Sequence, residues 1–436
     1  MQAVIDAITY AVHDVLVQGM FHLRAAGPLA WIGLCWPMLL LDLPRIAAAA
    51  ISAWRERGQE RRDLPAERAF LAGKPRVSVV VPAYNARSGI EATVRSLLET
   101  GYPDLQIVVV DDNSEDGMYE RIRPFTERGD VLLVKNSAAS GRGGKPSALN
   151  LGLVYATGEF VVFIDADSTV DHDLLVHMIG AFQDPRVGAV SGNVTVRNSD
   201  DNLLAFLQAG EYKIGIELSR TWLSRTGRVL GASGASCAFR RSALRAVGGS
   251  SSCRAEDLDN SLMLRRAGYQ LVFRPKAVVR TEVPTTVRRL FRQRQRWDRD
   301  VVQVAFRKHR GLMDPRAAGW ALASELWLQV LLTVVLPYAC LVWLVLMAIR
   351  SPDLLLLILG VTVLFSALIN ALALAVTVRC SIERNWRLVA TAPFLPFYSA
   401  FILAPVRLWS TTVELLRVQR EDAYLPQSYW RNAELP

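Results

Sequence analysis

The sequence predicts an α/β domain on a membrane platform, and three observations carry that expectation. Between residues 75 and 283, short β-branched runs alternate with helical apolar patterns. Apolar stretches long enough to enter a bilayer lie on either side, at 27–53, 319–349 and 353–378. Arginines crowd the ends of those stretches, where they meet anionic lipid and fix orientation.

A chain of 436 residues, 51% of them hydrophobic, has room for one domain of ordinary size plus several membrane segments. The net charge of +9 comes largely from those flanking arginines, so nucleic acid is not expected as a partner. Cys35, Cys237, Cys253, Cys340 and Cys380 contain no CxxC pair, which argues against a disulfide framework and a zinc site.

The elements follow in order. Residues 1–22 carry Asp6, His13 and Asp14 within an apolar pattern, as an amphipathic interfacial helix does. Stretch 27–53 has Asp42, Pro44 and Arg45 in its second half and no small-residue cleavage site behind a basic leader, so an uncleaved anchor is expected. Arg55, Arg57, Arg61 and Arg62 then place the chain in the cytoplasm from about residue 55. Runs at 77–82, 106–111, 131–135 and 160–164 are near-continuously apolar, which predicts a parallel sheet covered on both faces by helices such as 89–100 and 146–156. Gln208, Glu211 and Tyr212 read as helix-surface residues.

Residues 285–310 set nine basic residues around Leu290, Trp297, Val301 and Val304, a basic amphipathic helix suited to a membrane surface. Stretches 319–349 and 353–378 meet at a tight turn over 350–353 and predict a transmembrane hairpin. A third stretch, 388–409, contains Pro393, Pro396 and Pro405 and reads as a kinked span or a re-entrant segment. The expected division is an N-terminal interfacial and transmembrane segment (1–54), a cytosolic α/β domain (55–283), amphipathic interfacial helices (284–318), C-terminal transmembrane helices (319–410) and a basic tail (411–436).

Ligands of open α/β sheets bind at the carboxyl ends of the strands. Asp111-Asp112 follow the second run and Asp165-Ala166-Asp167 the fourth, so both acidic pairs belong on that edge. The stretch Asp111 to Ser114 also has the composition of a helix cap. Asp165 and Asp167 stand two apart, and an extended strand would send them to opposite faces, so a turn is needed before both reach one site. Gly141 to Lys145 form a basic glycine loop running into a helix, whose N–H groups and lysine suit phosphates, although the spacing is not that of a P-loop. Glu256-Asp257 open a helix, where acidic residues also offset the helix dipole. In Gln293-Arg294-Gln295-Arg296-Trp297 the tryptophan offers a flat face to a sugar and the arginines pair with phosphates.

The order and spacing of these four clusters resemble the membrane-integrated family 2 glycosyltransferases, which include the cellulose, chitin, hyaluronan and poly-N-acetylglucosamine synthases. The resemblance runs over roughly residues 28–410. It implies a GT-A, Rossmann-like cytosolic domain with N- and C-terminal transmembrane and interfacial helices, and inverting transfer from a UDP-sugar. Asp112 is then the acceptor for the uracil imide, with Tyr84, Lys145, Asp165 and Arg296 as further nucleotide contacts. Asp167 and Asp165 hold Mg²⁺ or Mn²⁺ at the diphosphate. Asp257 is the general base, with Glu256 beside it. Trp297, Gln293, Ser233 and Gly234 face the acceptor, as do the stretches around Asn193 and Ala232. Ala255 stands where threonine is common in this family.

Size, layout and the lack of a visible regulatory module after the last hydrophobic segment make UDP-N-acetylglucosamine the leading donor. The resemblance implies a growing polysaccharide as acceptor, with membrane lipids and a small membrane subunit as further partners. Transfer of one sugar to a lipid, or an inactive scaffold on the same fold, are the alternatives.

Overall fold

Four strands pair in parallel and form the half of the sheet that the sequence predicts. They are β1 (Val77–Ala83), β2 (Leu105–Asp111), β3 (Leu132–Lys135) and β4 (Phe160–Ile164), in the order β3-β2-β1-β4. This computed structural model describes residues 65–136, 143–253 and 255–416, with scattered positions before residue 53. The expected N-terminal anchor and interfacial helix, apart from those positions, lie outside the described residues. So do the arginines at 55–62, loop residues Gly141 and Arg142, and the tail beyond 416.

Alternation explains why the strands are apolar throughout. Val77, Val79 and Val81 point into a core shared with Ile90, Leu97, Met118 and Ile122, from helices α1 (Ile90–Glu99) and α2 (Met118–Glu127). Val80, Val108 and Val110 point the other way, towards Leu149 of α3 (Lys145–Tyr155). Each fully covered valine contributes about 1.5–3 kcal/mol over its exposed state. Helix α3 lies so close to β1 that a Cβ on Gly152 would stand 2.3 Å from Val80 Cγ1.

The other half corrects the all-parallel expectation. Strands β5 (Thr169–Val170), β6 (Val187–Val196), β7 (Ser236–Arg240) and β8 (Gln270–Thr281) extend one eight-stranded sheet in the order β3-β2-β1-β4-β7-β6-β8-β5. Strand β7 runs antiparallel to both β4 and β6, and β5 antiparallel to β8, so the sheet is mixed. The reason lies in burial: Cys237 and Phe239 enter one core and Ala238 the other. A strand covered on both faces carries the same continuous apolar pattern whichever way it runs.

Beyond β6, α4 (Leu203–Tyr212) continues through a π-helical stretch (Lys213–Leu218) into α5 (Ser219–Arg225). Helix α6 (Glu256–Arg266) precedes β8, and α7 (Val287–Asp300) runs on as a π helix over Val301–Lys308. Among the described residues two helices are long and apolar enough to cross a membrane, α8 (Pro315–Arg350) and α9 (Pro352–Cys380). The proline-rich third stretch is broken into a 3-10 turn (Trp386–Thr391), short helical pieces and α10 (Ala404–Leu415). Its Leu388, Ala392, Leu395 and Tyr398 pack on Leu207 and Ala209 of α4 and Leu374 of α9.

Candidate active site

At the end of β4 the chain turns sharply, Ser168 N–H donating to Asp165 O at 3.1 Å. Thr93 of α1 secures that turn by donating to Ala166 O at 2.9 Å. Gly89 packs against it so closely that a Cβ there would be 3.0 Å from Asp167 Cα. Asp167 lies exposed at the rim and accepts from Ser168 Oγ at 3.1 Å. Crowding by protein and the neighbouring Asp165 charge push its carboxyl pKa up.

Lys145, the first residue of α3, joins the turn after β4 to the start of α6. Its Nζ lies 2.7 Å from Asp165 Oδ1 and 3.2 Å from Glu256 Oε1, and donates to Gly234 O at 3.2 Å. Burial opposes its charge, but the Asp165 and Glu256 carboxylates outweigh that and raise its pKa.

Glu256 and Asp257 begin α6, behind Ala255, which makes no side-chain cap. Glu256 is 5% exposed. Burial raises its carboxyl pKa, Lys145 opposes the rise, and the Asp257 charge adds to it. Asp257 is half-buried and its Oδ1 accepts from Leu258 N–H at 2.8 Å, so the helix start steadies the carboxylate as well. Residues Ser233 to Ser236 form the turn into β7, closed by Ser236 N–H to Ser233 O at 3.0 Å. Gly234 in that turn touches the acid: a Cβ would stand 2.8 Å from Asp257 Oδ2. Ser233 Oγ accepts from Arg220 Nη1 at 2.6 Å, and Ser191 Oγ accepts from the same nitrogen at 3.0 Å.

Asp112 is 2% exposed and anchors the glycine loop. Its Oδ1 accepts from Asn136 Nδ2 at 2.7 Å and Gly143 N–H at 3.0 Å, and its Oδ2 from Gly144 N–H at 2.8 Å. Gly144 takes φ 81°, a conformation that glycine adopts without strain. The stretch Asp111 to Ser114 does not cap the next helix, α2, whose N-cap is Gly117 without a side-chain bond; Asp111 Oδ1 instead accepts from Ser114 N–H at 2.9 Å within the loop. Tyr84 follows β1 on the same strand-end edge and is 40% exposed.

The structure thus gathers Lys145, Asp165, Glu256, Asp257 and Gly234 into one cluster. Gln293, Arg296 and Trp297 are carried on α7 in a second group. There Arg294 lies 4.4 Å from the centre of the Trp297 ring and 2.9 Å from Glu211 Oε2. Such a cation–π contact is worth about 0.5–1 kcal/mol at a half-exposed site. Trp297 remains 37% exposed, Arg296 is half-buried, and Gln293 Oε1 is buried without a hydrogen-bond partner among the described residues.

The helix-surface reading of Gln208, Glu211 and Tyr212 is corrected. Gln208 is fully buried and donates to Leu204 O and Pro284 O, Tyr212 is buried, and Glu211 binds both Arg294 and Tyr398 Oη. Helix α4 is covered on one side by the sheet and on the other by the folded-back third stretch, so it has little free surface.

Two buried acids without a sequence signal tie these groups to the rest of the chain. Asp259, fully buried on α6, accepts from Ser251 Oγ and, at 2.6 Å each, from Lys308 Nζ and His309 Nε2. Burial pushes its pKa up, but those hydrogen bonds outweigh it and hold the carboxyl at about 2. Glu414 of α10 accepts from Arg299 at 3.1 Å, Gln303 at 2.9 Å and Arg307 at 2.6 Å.

A family model described as "Glycosyltransferase like family 2" matches residues 75–299, the stretch that holds both groups of the site. The chain belongs to glycosyltransferase family 2. It is similar to the poly-beta-1,6-N-acetyl-D-glucosamine synthase of Staphylococcus epidermidis, with 32% identity over 233 residues, 53% of this chain and 56% of that one. It is also similar to an N-acetylglucosaminyltransferase of Rhizobium meliloti, with 32% identity over 282 residues, 61% of each chain. The chain therefore spans about three fifths of the length of the curated family 2 relatives it matches. Among solved structures, the mannosyltransferase of Pyrobaculum calidifontis in complex with GDP-Man and Mn²⁺ superposes with a TM-score of 0.53 at 24% identity, over 86% of this chain and 100% of that one. That likeness identifies the family 2 domain as a GT-A-like α/β fold with a mixed sheet.

Proposed function

We propose that the protein is a processive, inverting β-glycosyltransferase that polymerises a sugar from a UDP-sugar and passes the product across the membrane. One observation carries this reading: Lys145 joins Asp165 on the nucleotide side to Glu256 beside the base. Donor phosphates and acceptor hydroxyl would therefore meet across a few ångströms. Asp257 takes the proton from the acceptor hydroxyl as that oxygen attacks the anomeric carbon. The bond from that carbon to the diphosphate breaks, UDP leaves, and the configuration inverts. Glu256, beside the base and 3.2 Å from Lys145 Nζ, is assigned to the catalytic pair, where it places that cation.

Asp165 and Asp167 fit a divalent ion. They are hard oxygen ligands, and burial together with the Asp165 charge raises the Asp167 carboxyl pKa. Among the described residues no third metal-ligating side chain joins them, so diphosphate oxygens would complete the shell. Mg²⁺ or Mn²⁺ would supply charge to offset the leaving UDP. Lys145, Tyr84 and Arg296 are assigned to the nucleotide, as is Asp112, which also holds the glycine loop. Trp297 and Gln293 receive the acceptor, with Ser233 and Gly234 on its path.

UDP-N-acetylglucosamine is the proposed donor, supported by the two relatives named for that sugar. Helices α8 and α9 support an integral location in the cell's inner membrane with the catalytic domain in the cytoplasm, because Ile349, Leu364 and Leu368 expose apolar surface suited to lipid. A small membrane subunit remains part of the proposal.

The test is the size and solubility of labelled product from membrane-reconstituted protein given Mg²⁺ or Mn²⁺ with UDP-N-acetylglucosamine, UDP-glucose or UDP-glucuronate, singly and in pairs. A long polymer from UDP-N-acetylglucosamine alone is expected. A small organic-extractable product would overturn polymerisation, and full activity of Asp257→Asn would overturn the assignment of the base.

A further inference from the structure

Along the strand-end edge the groups of the site follow one another in space. Lys145 and Asp165 stand at the end of β4, then come Gly234 and Asp257, then Ser233 before β7 and Ser191 in β6. In the strand order β4-β7-β6, Arg220 of α5 bonds at the β7 and β6 positions, whereas the acidic turn ends β4. Its Nη1 is gripped by two hydroxyls, Ser233 Oγ at 2.6 Å and Ser191 Oγ at 3.0 Å. Ser191 Oγ in turn accepts from Ser233 N–H at 3.1 Å, which fixes the grip to the backbone of the β7 turn. Among the described residues no carboxylate lies within ion-pair distance of this guanidinium; burial works against its charge and the more distant Asp257 carboxylate favours it.

A guanidinium carries five N–H donors in a fixed plane, and a partly buried one with no anion in direct contact is costly unless its remaining donors are used. The diphosphate does not fill that need, because Lys145 and the acidic turn mark its place at the end of β4. What must lie at the β7 and β6 positions is the sugar whose hydroxyl gives up the proton. We infer that Arg220 is an acceptor-binding residue. Its free N–H groups donate to an oxygen of the terminal acceptor sugar, either a hydroxyl or an acetamido carbonyl, while Asp257 faces the attacking hydroxyl. Ser233 then serves the acceptor indirectly, by holding Arg220. This inference rests on the transferase reading above.

The test is calorimetric titration of detergent-solubilised full-length protein, saturated with UDP and Mn²⁺, with a β-linked tetrasaccharide of N-acetylglucosamine. Arg220→Gln is expected to weaken tetrasaccharide binding roughly 10- to 100-fold, the range for a hydrogen bond from a charged group, with UDP affinity within about twofold of wild type. Arg220→Lys keeps the charge but loses the fork and should fall between the two. Ser191→Ala frees the guanidinium without removing it and should weaken binding by roughly 3- to 10-fold. Tetrasaccharide affinity unchanged in Arg220→Gln, a parallel loss of UDP affinity, or no tetrasaccharide binding by the wild type would each overturn the inference. Sugar transfer by the wild type is measured separately, so failure of the transferase reading shows as intact binding without product.

Discussion

Replacing Gly234 by alanine would test whether the Asp257 carboxylate has to sit where the structure places it. The added Cβ would lie 2.8 Å from Asp257 Oδ2, 3.3 Å from its Cγ and 3.6 Å from Lys145 Nζ. The first distance is about 0.6 Å inside the lower limit of ordinary contact near 3.4 Å. Backbone on the Gly234 side is held by the turn into β7 and by the bond from Lys145, so the acid yields. It shifts by about that amount or turns to another rotamer, which strains its 2.8 Å bond from Leu258 N–H. A misplacement of about 1 Å at a reacting group costs up to about 100-fold in rate, so kcat should fall roughly 10- to 100-fold. Donor KM should stay within about twofold, because the Lys145 contact uses the Gly234 carbonyl, which alanine retains. The fold should lose no more than about 1 kcal/mol, since only the end of a side chain moves. Initial rates of UDP release at saturating donor, with a thermal midpoint on the same sample, make the measurement. If Gly234→Ala kept wild-type kcat while Asp257→Asn was dead, the proposed position of the base would be wrong.

Three further outcomes follow from the same geometry. Lys145→Met leaves Asp165 and Glu256 facing one another without a cation. Activity should fall by roughly 100-fold and UDP affinity by roughly 10-fold or more, the latter read by titration with UDP; unchanged affinity would remove Lys145 from the nucleotide site. Chelation should abolish transfer, Mn²⁺ or Mg²⁺ should restore it, and Asp167→Asn should move the Mn²⁺ activation curve to at least roughly 10-fold higher concentration. Asp259 is held at about 2, below the ordinary value of about 4, so its contribution to stability is present above about pH 4 and is lost as pH falls towards 2. That contribution is about 2–3 kcal/mol, so the wild-type thermal midpoint should drop through that window, whereas Asp259→Asn should start lower at pH 7 and change little there.

Legibility in the sequence divided along physical lines. Strands β1 to β4 were readable because burial on both faces makes short continuous apolar runs, and each begins within one residue of its predicted start. The direction of β7 was not readable, because an apolar run carries no sign of polarity along the chain. Chemistry-bearing residue types were visible as local clusters, but their pairing was not: Lys145 meets Glu256, 111 positions away, only through the order in which the sheet assembles. Arg220 had no local signature at all, being one of two arginines in α5. Gln208 shows the opposite failure: its polar side chain reads as surface, yet it is fully buried, with its amide nitrogen donating to two backbone carbonyls.

The two buried acids show why α7 and α6 would act as a unit. Helix α7 and its π-helical extension carry Trp297 at one point, Arg299, Gln303 and Arg307 along one side, and Lys308 at the end, followed by His309. Glu414 gathers Arg299, Gln303 and Arg307 onto α10, which also hydrogen-bonds with Tyr338 of α8. Asp259 gathers Lys308 and His309 onto α6, two residues from Asp257. A buried carboxylate satisfied by several donors resists displacement, because each lost partner leaves a desolvated charge behind. Motion of the C-terminal helices would therefore reach the base through α7 and Asp259, with no slack at either joint. The proposed polymerase, advancing its acceptor after each transfer, would use such a connection between the segment proposed to hold the polymer and the proposed base.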